Sequence, residues 1–508
     1  MQFRASGWVI ALAAVVVASA TETAAAEPAL GASARAALDR SIAAMASIAT
    51  EGGWVWRYSL DLEERAGESK ATPTMIWVQP PGTPSVGMAI LRAHAVTSDP
   101  RHLDAALAAA DALATGQLAS GGWDYSIDFD PARAERVLRR TDLGSITPQD
   151  AARRFNVSTY DDDTTQAALR FLLAAVDACA GADGPRERRI RAACDHALAK
   201  LLEAQLPCGA WPQRYDGNHR GPAESPRRAT IPAEWPQEWP KNRYERLATL
   251  NDDVQLDCIE TLRDAHRRRG DPAFIVAIRR AGDFLVAAQL PEPQPGWAQQ
   301  YDEQMHPAWA RAFEPPAVAT RETAGAIRAL VAVCEATGDR RYLEPIPAAI
   351  AWLERSRIGP DRWPRFLELG TNRPIYGDRD GRIHFSLDEI SEERRTGYGW
   401  EGSFGVPAAL KAYRKASARS LGEKSPPPAS PPSPESRAGQ VRSLEPRVRE
   451  VIAALDGEGR WVTRGRFTKE SKGLEFGDRI ETATFIANLD LLATYIQMAR
   501  LPGPKTRP

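Results

Sequence analysis

The chain has 508 residues, 43% hydrophobic and 26% charged, and its 65 basic against 66 acidic side chains leave a formal charge of −1. That balance excludes a long-range pull toward nucleic acid or an anionic membrane, and at about 150 residues per domain the length allows several domains or one repetitive fold. Fourteen Trp is the unusual count; a large ring with one N–H that needs a partner predicts structural corners, carbohydrate-stacking surfaces, or both.

In chain order, the first feature is an apolar run from Trp8 to Val17, behind Arg4 and ahead of Ala24, Ala25 and Ala26. This pattern predicts a signal peptide over 1–26 and a secreted or periplasmic protein. The run falls short of the roughly 20 apolar residues of a membrane span, and no later segment reaches that length, so no stable membrane insertion is expected. Five cysteines follow, Cys179, Cys194, Cys208, Cys258 and Cys334, without zinc-ligand spacing. Cys179 and Cys194 are close enough in sequence to bridge two neighbouring helices in an oxidising compartment, and buried free thiols are expected for most of the rest.

From Trp54 onward, Ala/Leu-rich stretches of helical spacing end repeatedly in a Gly-Trp-like turn, at Trp54, Trp123, Trp211, Trp297, Trp363 and Trp461. The intervals of 69, 88, 86, 66 and 98 residues each hold two helices and their loops, and strand-like alternation is scarce. Helix pairs that return through the same turn bury one face on each other and another on the next pair. The pattern therefore predicts an all-α fold, an (α/α) toroid or incomplete helical barrel over 35–415, with irregular loops forming a central cleft. A Ser/Pro-rich stretch predicts a linker over 416–440, and 441–500 reads as a C-terminal helical pair that completes the ring or docks on it. Residues 217–250 form a Pro-rich stretch too long for a plain connection, the usual mark of a functional lid or a disordered tip.

Four segments next to helices gather polar residues. Asp161, Asp162 and Asp163 precede one apolar-periodic helix, and Asn251, Asp252 and Asp253 precede another in the next unit. One acidic helix start is an ordinary cap, but two on neighbouring pairs of a ring point into one cleft and offer hard oxygen ligands to a cation such as calcium. The third segment holds His306, Arg311, Glu314 and Arg321, and the fourth Arg365, Arg373, Arg379, Arg394 and Arg395 among aromatics. Guanidinium forks pair bidentately with carboxylates, so a cleft lined by them and a cation suits an acidic polymer.

The ordered set YDDDTT, GAWPQRYD, NDD, GWAQQYDE, WARAFEPP, WPRFLELGTNRPIYGDRDG and ERRTGYGW, spanning about 121–402, resembles the α/α-toroid pectate lyases of polysaccharide lyase family ten. The resemblance implies calcium-assisted β-elimination of polygalacturonate. It assigns Asp161 and Asp252 to the metal and Arg311 and Arg365 to substrate carboxylates, and it makes Arg379, in the R-D-G motif, the base. Arg373, in the same arginine-rich segment, is a further substrate-binding candidate. Where the family shows a D-N pair and a small residue, this chain has three aspartates. The expected partner is an acidic polysaccharide, with Ca2+ as cofactor, no nucleic acid, and a monomeric enzyme. Two other readings use the same residues: a toroid glycoside hydrolase with Glu314 and Asp253 as paired carboxylates, and a non-catalytic carbohydrate-binding protein.

Overall fold

The computed structural model describes residues 29–218, 224–419, 433–467 and 476–500. The expected signal peptide and residues 420–432 of the expected linker lie outside them. Among the described residues, twelve helices of ten or more residues alternate between an outer and an inner layer. In the inner layer Thr83–Thr97 packs on Thr164–Ala178, which packs on Val254–Arg269, then Thr320–Thr337, then Val406–Ser417. The outer helices Pro100–Gly116, Pro185–Glu203 and Pro272–Ala288 lie against the grooves between them. Their starts follow from sequence: Asp99 and Asp271 accept from the backbone N–H two residues on, at 2.9 and 2.8 Å, with Pro in the first helical position. The arrangement is the expected α/α toroid.

The repeating tryptophans hold the layers together. Each indole N–H donates to a carbonyl of the preceding outer helix: Trp54 to Met45, Trp123 to Leu113, Trp211 to Leu201, Trp297 to Leu285, Trp363 to Leu353 and Trp461 to Val451, all at 2.7–2.9 Å. Four of them also donate their backbone N–H to a side chain in the first turn of the next inner helix, Thr83, Thr165, Gln255 or Thr323. The Gln of the recurrent Gln-Leu closes the same corner: Gln117, Gln205 and Gln289 each donate to their own turn and to the next outer segment. With the six rings at most 4% exposed, these tryptophans are corners and not sugar-stacking surfaces. Left unpaired, such buried N–H groups would cost about 1–3 kcal/mol each. Gly209 marks the tightest corner, with φ +101° and the Arg280 carbonyl 2.2 Å from where a Cβ would sit.

Short antiparallel ladders repeat as regularly. The strand before an inner helix pairs with the strand after the next tryptophan: Met75–Trp77 with Ser126–Asp128, Ser158–Thr159 with Arg214–Tyr215, Ala248–Thr249 with Gln300–Tyr301, and Val318–Ala319 with Phe366–Leu367. These ladders set the N-terminal ends of successive inner helices side by side, where the loops meet.

Two expectations change. The helix Pro434–Ala453 starts before the expected Val441, with the Ser433 hydroxyl accepting from the Ser436 N–H. It packs on Thr482–Arg500, which lies against Ala29–Ser47 and Thr83–Thr97, while Gly477–Glu481 pairs with Arg57–Ser59. The C-terminal pair is thus continuous with the first unit of the ring. All five cysteines are free. In place of a bridge, the Cys194 sulfur accepts from Arg269 at 3.1 Å and Cys179 donates to the Val176 carbonyl at 3.6 Å.

Candidate active site

Both acidic helix starts adopt one unusual backbone. Asp162 and Asp163 have φ 49° and 59°, and Asp252 and Asp253 have φ 48° and 59°, each pair leading straight into an inner helix. Left-handed conformation at two successive non-glycine residues is strained. Neither start has a side-chain cap hydrogen bond, so the acids are not serving as caps. The turns instead bring Asp161, Asp162 and Asp252 together, with one carboxylate oxygen from each within 4.8 Å of the others. By backbone position Asp252 is the counterpart of Asp162, and Asn251 of Asp161.

The electrostatics of this triad are unfavourable by themselves. Burial, then the carboxylates of Asp161 and Asp252, push Asp162 up to about 7. Burial and Asp161 likewise raise Asp252, against the opposing charges of Arg321, Arg365 and Arg311. Asp161 Oδ2 accepts from the Tyr125 hydroxyl at 2.8 Å, while its Oδ1 is buried without a hydrogen-bond partner. Asp162 accepts from Gln79 Nε2 at 2.9 Å, and Asp252 Oδ1 lies 2.8 Å from Arg321 Nη2. An orphaned buried oxygen inside an all-carboxylate donor set fits a hard divalent cation such as calcium. The third acid of each start turns away: Asp163 pairs with Arg170 at 2.5 Å and Asp253 with Arg328 at 2.7 Å.

Opposite the acids stands a basic and aromatic group. Arg365, 6% exposed, sits 4.5 Å from the Tyr398 ring centroid and 5.5 Å from that of Phe366. Glu314, 2% exposed, accepts from Arg311 Nε at 2.7 Å and from the Tyr398 hydroxyl at 2.8 Å. Against the burial that would raise it, those bonds and the Arg311 charge hold the Glu314 carboxyl below its ordinary value. Arg379 lies on an exposed loop, Nε 2.9 Å and Nη2 3.0 Å from the carboxylate oxygens of Glu393. That pairing raises its pKa above the already high value of arginine. Phe313 gathers three guanidinium groups, Arg394 at 4.4 Å, Arg311 at 4.9 Å and Arg379 at 6.0 Å from its ring centroid.

The described residues 224–250 of the Pro-rich stretch reach the Arg311 segment and the Arg379 turn. The Trp239 indole donates to the Ala310 carbonyl at 2.9 Å and its backbone N–H to Gly381 at 2.8 Å, tying the stretch to the Arg311 segment and the Arg379 turn.

Of the residues singled out from the sequence, Asp161, Arg311 and Arg365 lie within electrostatic reach of Asp252, and Arg379 shares the Phe313 ring with Arg311. Arg373 stands apart, stacked 3.9 Å from the Phe385 ring centroid, because it lies in the turn between Phe366–Leu367 and Pro374–Gly377, at the far end of that hairpin from Arg365. Three residues were not assigned: Asp162, Tyr398 and Glu322. Asp162 was legible as the second of two aligned aspartates. Glu322 was not; it is 2% exposed, both its oxygens lack a hydrogen-bond donor, and burial raises its pKa against the Arg365 charge.

Comparisons with known proteins follow this geometry. No curated protein matches the chain. Among solved structures it is similar to a family 10 polysaccharide lyase from Cellvibrio cellulosa, at 22% identity over 65% of this chain and 98% of that one, with a TM-score of 0.44. A mutant of that enzyme in complex with trigalacturonic acid gives 21% identity, the same coverage and a TM-score of 0.42. An unsaturated glucuronyl hydrolase specific for heparin gives 11% identity over 93% of this chain and 98% of that one, with a TM-score of 0.39. The sequence model of the pectic acid lyase family matches residues 117–362 and 355–408, more than half of the chain and every assigned aspartate and arginine. The chain belongs to the pectic acid lyase family, the pectate lyases of polysaccharide lyase family ten, and is a polysaccharide lyase.

Proposed function

We propose that the protein is an exported, monomeric enzyme that cleaves polygalacturonate or a related uronate polymer by calcium-assisted β-elimination. The carrying observation is the Asp161, Asp162 and Asp252 triad, with one oxygen of each within 4.8 Å of the others and the charges of Arg365 and Arg311 within reach of Asp252. Asp161, Asp162 and Asp252 would hold the ion, which supplies positive charge beside the uronate carboxylate and so acidifies the C5 proton. Arg365, immobilised by Tyr398 and Phe366, pairs with that carboxylate and stabilises the negative charge that develops as the proton leaves. Arg311 lines the same wall, its charge already committed to Glu314.

Arg379 removes the C5 proton; the C–H electron pair forms the C4–C5 double bond, and the C4–O bond breaks with the leaving oxygen taking up a proton. A guanidinium stays protonated far above neutral pH, and each unit by which its pKa is lowered costs about 1.36 kcal/mol. Pairing with Glu393 works in the opposite direction, so Arg379 acts once the substrate has displaced that carboxylate and the neighbouring guanidinium of Arg311 disfavours its charge. An alkaline optimum follows.

The hydrolase alternative loses support from the same contacts. Glu314 is clamped by Arg311 and Tyr398, and Asp253 by Arg328. Glu314, held below its ordinary value by Arg311, is not the carboxyl of raised pKa that a glycosidic general acid requires. The test is polygalacturonate with and without a chelator, followed by ultraviolet absorbance of the conjugated product. A rise that calcium restores supports the reading, and no rise with calcium present rejects it for that polymer. Size-exclusion chromatography and the culture medium of an expressing cell check the monomer and export. No helix among the described residues is long and apolar enough to cross a membrane.

A further inference from the structure

Beside the cleft lies a cavity of about 250 Å3 whose lining includes Phe155, Arg214, Asp216, Arg243, Glu245 and Arg246. A hollow of about 150 Å3 adjoins it and shares Phe155, whose ring is 40% exposed between the two. The ring thus offers an apolar face to a ligand lying beside the charged side chains of the lining. The charges are unevenly committed. Arg246 Nη2 lies 2.9 Å from Asp216 Oδ2, and Arg214 is a loose 3.9 Å from Asp124. Arg243 is exposed and makes no hydrogen bond or ion pair among the described residues. With Arg246 paired to Asp216 and Arg214 to Asp124, Arg243 is the guanidinium of the lining that has no ion pair among the described residues.

The cavity shares walls with the aspartate triad. Arg214 lies 5.6 Å from the Tyr125 ring centroid, and the Tyr125 hydroxyl donates to Asp161. On the other wall the turn Tyr244–Arg246 faces two ways: Arg243, Glu245 and Arg246 line the cavity, while Tyr244 is within the electrostatic reach of Arg311, Glu314 and Asp161. Phe155, Arg243 and Arg246 belong to 129–157 and 217–250, two stretches outside the motifs that carry the family resemblance.

We propose that this cavity is a binding subsite for a further carboxylate-bearing sugar of the substrate chain, one tyrosine ring away from the aspartates, with Phe155 against the sugar face and Arg243 on the carboxylate. The inference rests on the reading of the protein as a lyase of uronate polymers. An aromatic ring covers the apolar face of a pyranose, and a guanidinium supplies paired donors to its carboxylate. Binding at such a distance from the bond that breaks acts on chain length and affinity, leaving the chemical step to the cleft.

The experiment titrates galacturonate oligomers of increasing length into the calcium-loaded full-length protein by calorimetry, for wild type, Phe155→Ala, Arg243→Ala and the double variant. Both side chains are exposed, and unchanged melting curves confirm that the fold is kept. Affinity for the longer oligomers is expected to fall about tenfold or more, that for the shortest to hold, and KM for the polymer to rise with kcat intact. Arg243→Lys should recover part of the loss. Equal effects at every length, or none, with the wild type still cleaving the polymer, overturn the subsite and leave the proposed function standing. A wild type that neither binds nor cleaves the polymer rejects the proposed function and the subsite with it.

Discussion

The acids of the cleft enter on two successive helix starts that share one backbone conformation, whereas the arginines share none: Arg321 arrives on the inner helix Thr320–Thr337, and Arg311, Arg365 and Arg379 outside helices. The acidic side is a product of the repeat: a ladder, a left-handed pair and an inner helix, copied from one unit to the next. It brings like charges together and leaves Asp161 Oδ1 without a partner. The basic side is already neutralised from within the chain, Arg311 by Glu314, Arg379 by Glu393 and Arg321 by Asp252. One side is poised to take a cation and the other to exchange its carboxylates for those of a substrate.

The largest expected effect comes from Arg379→Ala, which should lower turnover by about a thousandfold while calcium and oligomer binding persist. Turnover within a few fold of wild type by the absorbance assay would falsify its assignment as base. Next, Asp161→Ala and Asp252→Ala should each raise the calcium concentration for half-maximal activity by about tenfold or more, read by titration of the apo-protein. If neither moves that concentration, the triad is not the calcium site.

The third prediction sets the two starts against each other. Asp162→Asn leaves the first start, like the second, with two carboxylates in place of three: Asp161 and Asp163 remain there, as Asp252 and Asp253 do beside Asn251. Because the folded-state pKa of Asp162 is raised to about 7, its contribution to stability is present below about pH 4 and lost as pH rises toward 7. The melting temperature of the calcium-free wild type should therefore fall across that window, and Asp162→Asn should flatten the fall. Calcium, which competes with the proton, should restore the wild type most at the upper end and bind more weakly as pH drops below about 7. Identical melting profiles for the two proteins would separate Asp162 from the site. The smallest effect is expected from Glu393→Gln. It frees Arg379 from an exposed pair of little energetic weight, so the alkaline rise in activity should move to lower pH by a fraction of a unit. No movement, or movement upward, means that the pair does not restrain the base.

The sequence was most legible where the fold repeats. Tryptophan spacing marked the helix pairs, and the two acidic helix starts marked the acidic side of the cleft, because both features sit at fixed offsets from an inner helix. What it hid was set by contacts between distant segments. Tyr398 meets Glu314 across 84 residues, and no local pattern announces that. Arg373 looked equivalent to Arg365 and Arg379 in the same segment, but it sits in the turn between Phe366–Leu367 and Pro374–Gly377, at the far end of that hairpin from Arg365, so proximity in sequence did not become proximity in space. The tryptophans were assigned a surface role as well as a structural one because composition records how many there are and not where the indole N–H goes.

The junction between the first and last units bears on how the chain is made. The Ala29–Ser47 and Thr83–Thr97 helices are synthesised first, yet Thr482–Arg500 covers both and Gly477–Glu481 supplies the neighbour of Arg57–Ser59. Throughout translation the earliest unit therefore carries apolar surface that only the final residues can bury. The first part of the ring to be made is the last to be finished, and a polypeptide released even a few turns short would leave that surface open to aggregation.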